Sequence, residues 1–395
     1  MQERRTKVDL PNAVATLMQG AVQAGGVPGV ALAAAGREQA GFARGFGVRR
    51  LGAPEPMEPD TVVWIASMTK AIVAVAAMRL VEAGRLALDA PAAEFVADLA
   101  EAQVLEGFDA GGRPRLRPPK RPVTLRHLLT HTSGFAYEMW SAETIRARRA
   151  LGMPSMPTGR LAALRLPLLF DPGEDWTYGI GLDWAGRLVE AASGQRLGAH
   201  LAETILGPLG MADTAFRLRE DMRARLAPVH ARAPDGSLAP TGTIVEQDPE
   251  FESGGGGLYS TARDYLAFAR MILNGGRHGK ERLLKPETVA EMARDQIAPL
   301  TVKPMHSAMP AASNDVEFFP GLPCGWGLSF LVNRRQSAEG RAAGGLAWAG
   351  LANTYYWIDH GRGTAGVFLT QILPFFDAKA VALFRGFEAR MNGVG

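Results

Sequence analysis

Apolar residues fall along this chain in stripes and runs whose spacing divides it into elements. Helical spacing over about residues 9–24 predicts a short amphipathic helix. Two apolar runs follow, Val27–Ala35 and Gly41–Val48; Gly36-Arg37 and their neighbours separate them, so they predict a β-hairpin. From Trp64 to Val81 apolar residues occupy nearly every face, and Gly84 supplies a stop. That is the pattern of a fully buried helix, too short and too often interrupted by Ser, Thr and Lys to span a membrane. Residues 105–122, rich in Gly, Pro and Arg, read as a surface excursion. Thr124 can cap a helix that ends before Ser133-Gly134, and another short helix runs from Asp183 to Ala192 and closes at Gly194. Four glycines, Gly254–Gly257, precede Thr261-x-x-Asp264, a capping box that opens a helix over Tyr265–Leu273. Gly325–Asn333, Ala347–Asp359 and Gly363–Ile372 predict three successive strands, and a last helix covers about Asp377–Met391.

Strands at both ends and helices between them predict an α/β (α+β) fold, in which the two termini jointly build one antiparallel sheet flanked by helices. The expected division is an α/β domain from residues 1–84 and 256–395 and a mostly helical lobe from 85–255, with a ligand cleft between them. No internal repeat or low-complexity tail is visible in the sequence.

Composition changes this picture little. Hydrophobic residues make up 47% and charged residues 21% of the 395-residue chain, as in ordinary globular enzymes. The formal charge of +3 is carried by scattered Arg and not by a basic block, so no nucleic-acid partner is expected. The single cysteine, Cys324, excludes an intrachain disulfide and a cysteine-based metal cluster; at the start of a predicted strand it reads as a small buried side chain. Met1 to Leu10 carries charges with no apolar run behind them, so no secretory signal is visible. These features predict a cytoplasmic protein with no membrane partner, and they carry no information on oligomeric state.

The chemistry begins at Ser67-Met68-Thr69-Lys70. Positions i and i+3 share a helix face, so the Ser67 hydroxyl and the Lys70 amine can meet. A serine hydroxyl needs a base to become nucleophilic, and a lysine becomes one when burial lowers its pKa. The run Ala71-Ile72-Val73-Ala74-Val75 that follows makes a solvated Lys70 difficult to arrange. Free N–H groups at the helix start can help hold an oxyanion. The same four residues also fit a capping serine with a snorkelling lysine.

Tyr178 lies on the loop Asp171-Pro172-Gly173-Glu174-Asp175-Trp176-Thr177-Tyr178-Gly179. A phenol beside a cation can relay protons, and the plainer reading is a half-buried loop tyrosine. In Gly344-Gly345-Leu346-Ala347-Trp348-Ala349-Gly350-Leu351, small residues on a strand edge admit a substrate close to the backbone, and a backbone N–H there can bind an oxyanion. A β-bulge or tight packing explains the same residues. His127 and His131 have an i, i+4 spacing that suits a metal, but no glutamate stands where a zincin needs one, so structural roles and no metal are expected. No Gly-x-Ser-x-Gly elbow, phosphate loop or dinucleotide fingerprint is present.

Taken in order, Trp64-Ile65-Ala66-Ser67-Met68-Thr69-Lys70 with Leu86-x-Leu88-Asp89-x-Pro91, Leu128-Leu129-Thr130-His131-Thr132-Ser133-Gly134, and Gly254 to Asp264 resemble the serine β-lactamase-type superfamily over nearly the whole chain. Within that superfamily the chain most resembles family VIII carboxylesterases and acyltransferases of the simvastatin-synthase type, the latter through Leu105-Glu106-Gly107-Phe108-Asp109 and Tyr178-Gly179-x-x-Leu182-Asp183-Trp184-Ala185-Gly186. The resemblance implies Ser67 as the acylated nucleophile, Lys70 as its base and Tyr178 as the second proton-transfer group. It implies an oxyanion hole from the backbone N–H groups of Ser67 and Leu351, and no cofactor.

Two departures bear on substrate. Ile180 stands where class C β-lactamases carry the Asn of Tyr-x-Asn, and Trp348-Ala349-Gly350 replaces Lys-Thr-Gly or His-Thr-Gly. An indole cannot replace that cation, but Trp348 can pack on an acyl or aryl group. The expected function is therefore a serine carboxylesterase acting on neutral, fairly apolar carboxylic esters through an acyl-enzyme on Ser67. An acyltransferase using the same site is the nearest alternative, then a weak β-lactamase or D-peptidase, and, outside enzymes, a catalytically silent binding protein. The helical lobe and the segment around residues 296–322 are expected to shape the acyl pocket.

Overall fold

Seven strands form the main sheet: β1 (Gly29–Gly36), β2 (Phe42–Gly47), β3 (Cys324–Trp326), β4 (Leu331–Asn333), β5 (Leu346–Gly350), β6 (Thr354–Asp359) and β7 (Thr364–Leu369). They lie in the order β3-β4-β5-β6-β7-β1-β2, and every neighbouring pair is antiparallel. This computed structural model describes residues 10–38 and 41–394, and the charged N-terminal stretch before Leu10 lies outside them.

The N-terminal hairpin thus joins five C-terminal strands through the β1–β7 pair, where Ala31 faces Leu369 and Gly36 faces Thr364. Helices cover both faces of the sheet. On one, Tyr355 stacks on Phe384 at 4.8 Å and Trp357 meets Phe387 at 5.0 Å, both rings belonging to the terminal helix Ala378–Met391. On the other, Tyr356 packs on Tyr265 at 5.1 Å, from the helix Ala262–Leu273. Burial on both faces is why these strands read as nearly unbroken apolar runs instead of alternating ones.

That same burial hid the turns. Gly325–Asn333 is the hairpin β3–β4, its bend held by Gly327 N–H to Phe330 O at 2.8 Å, with Ser329 at φ 75°. Ser329 in the bend is buried between Leu328 and Phe330, so its one polar residue stands inside an apolar run and the turn reads as strand. Ala347–Asp359 is likewise the hairpin β5–β6, turned at Asn353 with φ 59°. The expected helix from Trp64 begins at Thr69: Val63–Trp64 pairs with Tyr259–Ser260 as a short strand, and a 3-10 turn, Ala66–Met68, follows. The surface excursion is an ordered hairpin, Val104–Phe108 with Pro114–Arg117. Thr261 caps its helix through Asp264 N–H at 3.2 Å. The Asp264 carboxylate instead accepts from Asp213 N–H and the Thr214 hydroxyl, so the reciprocal half of the box is not made.

Residues 85–255 give no strand to the main sheet. They supply the helices Leu125–Thr130, Ala142–Ala150 and Gly181–Ser193, and a second hairpin, His230–Arg232 with Leu238–Pro240, joined in parallel by Ile372–Leu373. No helix among the described residues is long and apolar enough to cross a membrane.

Candidate active site

Ser67 is half-buried in the 3-10 turn that leads into the helix Thr69–Glu82. Ala66 before it holds φ at +44°, a left-handed conformation that L-residues other than glycine adopt at a cost. The turn is tied to the sheet, because Ile65 O accepts from Met68 N–H at 3.1 Å and from the Thr354 hydroxyl at 3.3 Å. Strain at Ala66 presents the serine outward while Lys70, one turn on, points inward.

Lys70 is wholly buried. Its Nζ donates to Ser67 Oγ at 3.1 Å, to Tyr137 OH at 3.0 Å and to the Gly255 carbonyl oxygen. Burial lowers the ammonium to about 7, opposed by the negative charge of Asp183. Near neutrality a large fraction of Lys70 is therefore free amine and able to take a proton.

Tyr178, also buried, accepts from the Trp348 indole N–H at 2.9 Å. Burial pushes its phenol above the usual range, while hydrogen bonds from Ser67 and Trp348 pull the other way. The Lys70 nitrogen lies 4.8 Å from the centre of its ring. Trp348 therefore touches both the cleft and the Tyr178 hydroxyl, and Phe318 stacks on it at 4.8 Å. The 296–322 segment does not line the cleft but backs its walls: Phe318 stacks on Trp348, Ser313 Oγ accepts from the Trp140 indole N–H at 3.1 Å, and Ala308 N–H donates to the Met139 carbonyl at 2.8 Å. Gly350 and Leu351 line the cleft at the end of β5. A Cβ on Gly350 would stand 2.2 Å from Ile65 O, so only glycine lets this strand end reach the serine turn.

The two histidines serve the scaffold. His127 forms a capping box with Thr124, each backbone N–H donating to the other's side chain at 3.2 Å. His131 ends the helix in a left-handed conformation, accepts from Gly179 N–H at 3.3 Å and packs on Tyr178 at 4.5 Å. Cys324 is buried, with its thiol pushed up to about 11 by that burial.

Sequence reasoning missed two residues beside Lys70. Tyr137, buried on the segment after Gly134, donates to Asp183 Oδ2 at 3.3 Å. Asp183, fully buried in the first turn of Gly181–Ser193, accepts at Oδ1 from the Ser253 hydroxyl (2.6 Å) and Gly255 N–H (3.0 Å). No local signal marked Asp183, because an acidic residue in the first turn of a helix is ordinary there. The glycine run now has a reason at Gly255: a Cβ there would lie 2.3 Å from Asp183 Oδ2 and 2.5 Å from Tyr137 OH.

The cleft over Ser67 has a volume of about 340 Å³ and is walled by Met139, Trp140, Met156, Phe216, Phe251 and Phe375. Arg217 stands at its edge with its charge matched by Asp248 at 2.7 Å. No group of three or more metal-ligating side chains occurs among the described residues. The arrangement offers a hydroxyl, an adjacent amine base, a protonated phenol and a largely apolar cleft, the components of acyl transfer through serine.

Comparison with known proteins points the same way. A family model described as Beta-lactamase matches residues 14–389. Monacolin J acid methylbutanoyltransferase of Aspergillus terreus is 33% identical over 393 residues, covering 94% of this chain and 93% of that protein. Lovastatin esterase of Penicillium rubens is 33% identical over 377 residues, covering 91% and 92%. A mutant of simvastatin synthase from Aspergillus terreus superimposes with a TM-score of 0.85 at 30% identity, covering 99% of each chain.

Proposed function

The chain belongs to the beta-lactamase family, as an enzyme of its esterase and acyltransferase branch, and we propose that it is a serine carboxylesterase for neutral, apolar carboxylic esters. The observation that carries this reading is the Ser67–Lys70 contact of 3.1 Å, made by a buried lysine lowered to about 7 at the floor of an apolar cleft. In this reading residues 85–255 form the lobe that shapes the cleft against a sheet domain of residues 1–84 and 256–395.

Neutral Lys70 takes the Ser67 proton as Oγ attacks the ester carbonyl carbon. The backbone N–H groups of Ser67 and Leu351 hold the oxyanion. Tyr178, kept protonated by burial, gives its proton to the departing alkoxide and recovers one from Lys70, leaving an acyl-Ser67 ester and a free alcohol. Water then attacks the acyl carbonyl as Lys70 takes its proton, the Ser67 Oγ–acyl bond breaks with that proton returned to Oγ, and the acid leaves. Apolar walls and an indole at position 348, where relatives with charged substrates place a cation, favour a substrate without a carboxylate.

A second reading rests on the relatives. The transferase of Aspergillus terreus, the esterase of Penicillium rubens and this chain share one scaffold, so an alcohol is an acceptor as reasonable as water. The test is intact mass spectrometry after mixing with p-nitrophenyl butyrate, with and without a competing alcohol. The reading expects a transient +70 Da adduct (roughly the mass of a butyryl group) on wild type and none on Ser67→Ala. Butyrate as the main product supports the esterase, and butyryl ester of the added alcohol supports the transferase. Turnover that survives Ser67→Ala contradicts both.

A further inference from the structure

The groups facing Lys70 come from five places in the fold. Ser67 lies on the same turn, and His131 and Tyr137 follow the helix Leu125–Thr130. Tyr178 precedes the helix Gly181–Ser193, Asp183 lies within it, and Gly255 closes the set with its carbonyl. His131 is held neutral by burial and by the Lys70 charge, and both phenols are protonated. Burial raises the Asp183 carboxyl, while the Lys70 charge and hydrogen bonds from Ser253, Gly255 and Tyr137 act to keep it ionised, so Asp183 is the one group of this set that can offer Lys70 a compensating negative charge.

Asp183 does not touch Lys70 directly. The Tyr137 hydroxyl stands between them, accepting from Lys70 at 3.0 Å and donating to Asp183 Oδ2 at 3.3 Å. Gly255 braces the same three groups, its carbonyl on Lys70 and its N–H on Asp183 Oδ1. A direct ion pair would fix the ammonium and remove the base, and an isolated buried amine would bind a proton too weakly to take one from serine.

Resting on the acyl-enzyme reading above, we infer that Asp183, acting through the Tyr137 hydroxyl, is a positioning residue that sets the proton affinity of Lys70. When Lys70 receives the Ser67 proton, the ammonium donates to Tyr137, Tyr137 keeps its own proton directed at Asp183, and no proton passes along this branch. In Asp183→Asn the side-chain amide donates to Tyr137, whose hydroxyl turns to donate to the Lys70 amine. This favours the neutral lysine.

The experiment follows lysine 13Cε shifts against pH in the resting wild type, Asp183→Asn and Tyr137→Phe, with Lys70 assigned by its absence in Lys70→Ala. The Lys70 midpoint, about 7 in wild type, should fall by about one pH unit or more in Asp183→Asn and move the same way in Tyr137→Phe. The acid limb of Ser67 acylation should move with it. The titration is read without substrate, so its result stands apart from whether Ser67 is acylated. Tyr137→Phe keeps the ring in place and carries the test if Asp183→Asn does not fold. A midpoint that stays fixed in a folded variant, with activity lowered equally at every pH, would overturn the inference and leave Asp183 a structural residue.

Discussion

Two pairs of opposite charges whose members are all fully buried, among the described residues, are built in opposite ways. Arg341 and Glu388 join the loop before β5 to the terminal helix by two direct bonds of 2.6 and 2.7 Å, with both side chains fully buried. Burial disfavours the Arg341 charge, but the carboxylate against it wins, and the guanidinium is held above its usual range. Lys70 and Asp183 are as deeply buried but are separated by a phenol, and here burial wins. The first geometry locks a proton in place and the second leaves it exchangeable near neutrality. Contact distance and the kind of cation together separate the structural pair from the chemical one, since a guanidinium keeps its proton when buried and a lysine held off its carboxylate need not.

Breaking each pair should therefore give different phenotypes. Lys70→Ala should reduce the rate of Ser67 acylation by about 10²–10⁴, with the folded state retained; stopped-flow p-nitrophenol release measures it. Glu388→Gln should do the reverse. It leaves a buried guanidinium uncompensated and should cost about 3–5 kcal/mol in denaturant unfolding, with kcat/KM of the folded fraction unchanged. A smaller effect sharpens the comparison from the acid side of the site. Trp348→Phe keeps an aromatic wall but removes the N–H that Tyr178 accepts. A neutral hydrogen bond of about 1 kcal/mol predicts a five- to tenfold loss (roughly) in kcat with alkyl esters, and less with a p-nitrophenyl leaving group that needs no proton. Equal losses for both ester types would remove Tyr178 from the leaving-group step.

The legibility of the sequence follows the same division. Ser67 and Lys70 are three residues apart on one helical turn, so their meeting is a local fact that spacing alone conveys. The fold class was readable for a related reason: strand and helix patterns at the two ends are strong, and only their joining through β1 and β7 is long-range. The Tyr137–Asp183 branch is carried by positions 46 residues apart in sequence, and Tyr178 meets Trp348 across 170 positions. Nothing in either local segment announces its partner. The bend at Leu328–Phe330 was hard to read because its one turn-type residue, Ser329, is buried between two apolar side chains. Ala66 hides its strain likewise, since an alanine in a helical run gives no sign of φ +44°.

The central claim is that Lys70 acts as a neutral base on Ser67, and the pH dependence of single-turnover acylation tests it most directly. Below the Lys70 midpoint the amine is protonated and cannot accept the serine proton; above it the amine is free. The burst rate of wild type with p-nitrophenyl butyrate should rise with pH through about 7 and then level off, because Tyr178 stays protonated well beyond that range. Lys70→Arg, cationic throughout, should show no such limb and almost no burst. A wild-type rate that is flat from about pH 5.5 to about pH 9, or a burst undiminished in Lys70→Arg, would contradict the account.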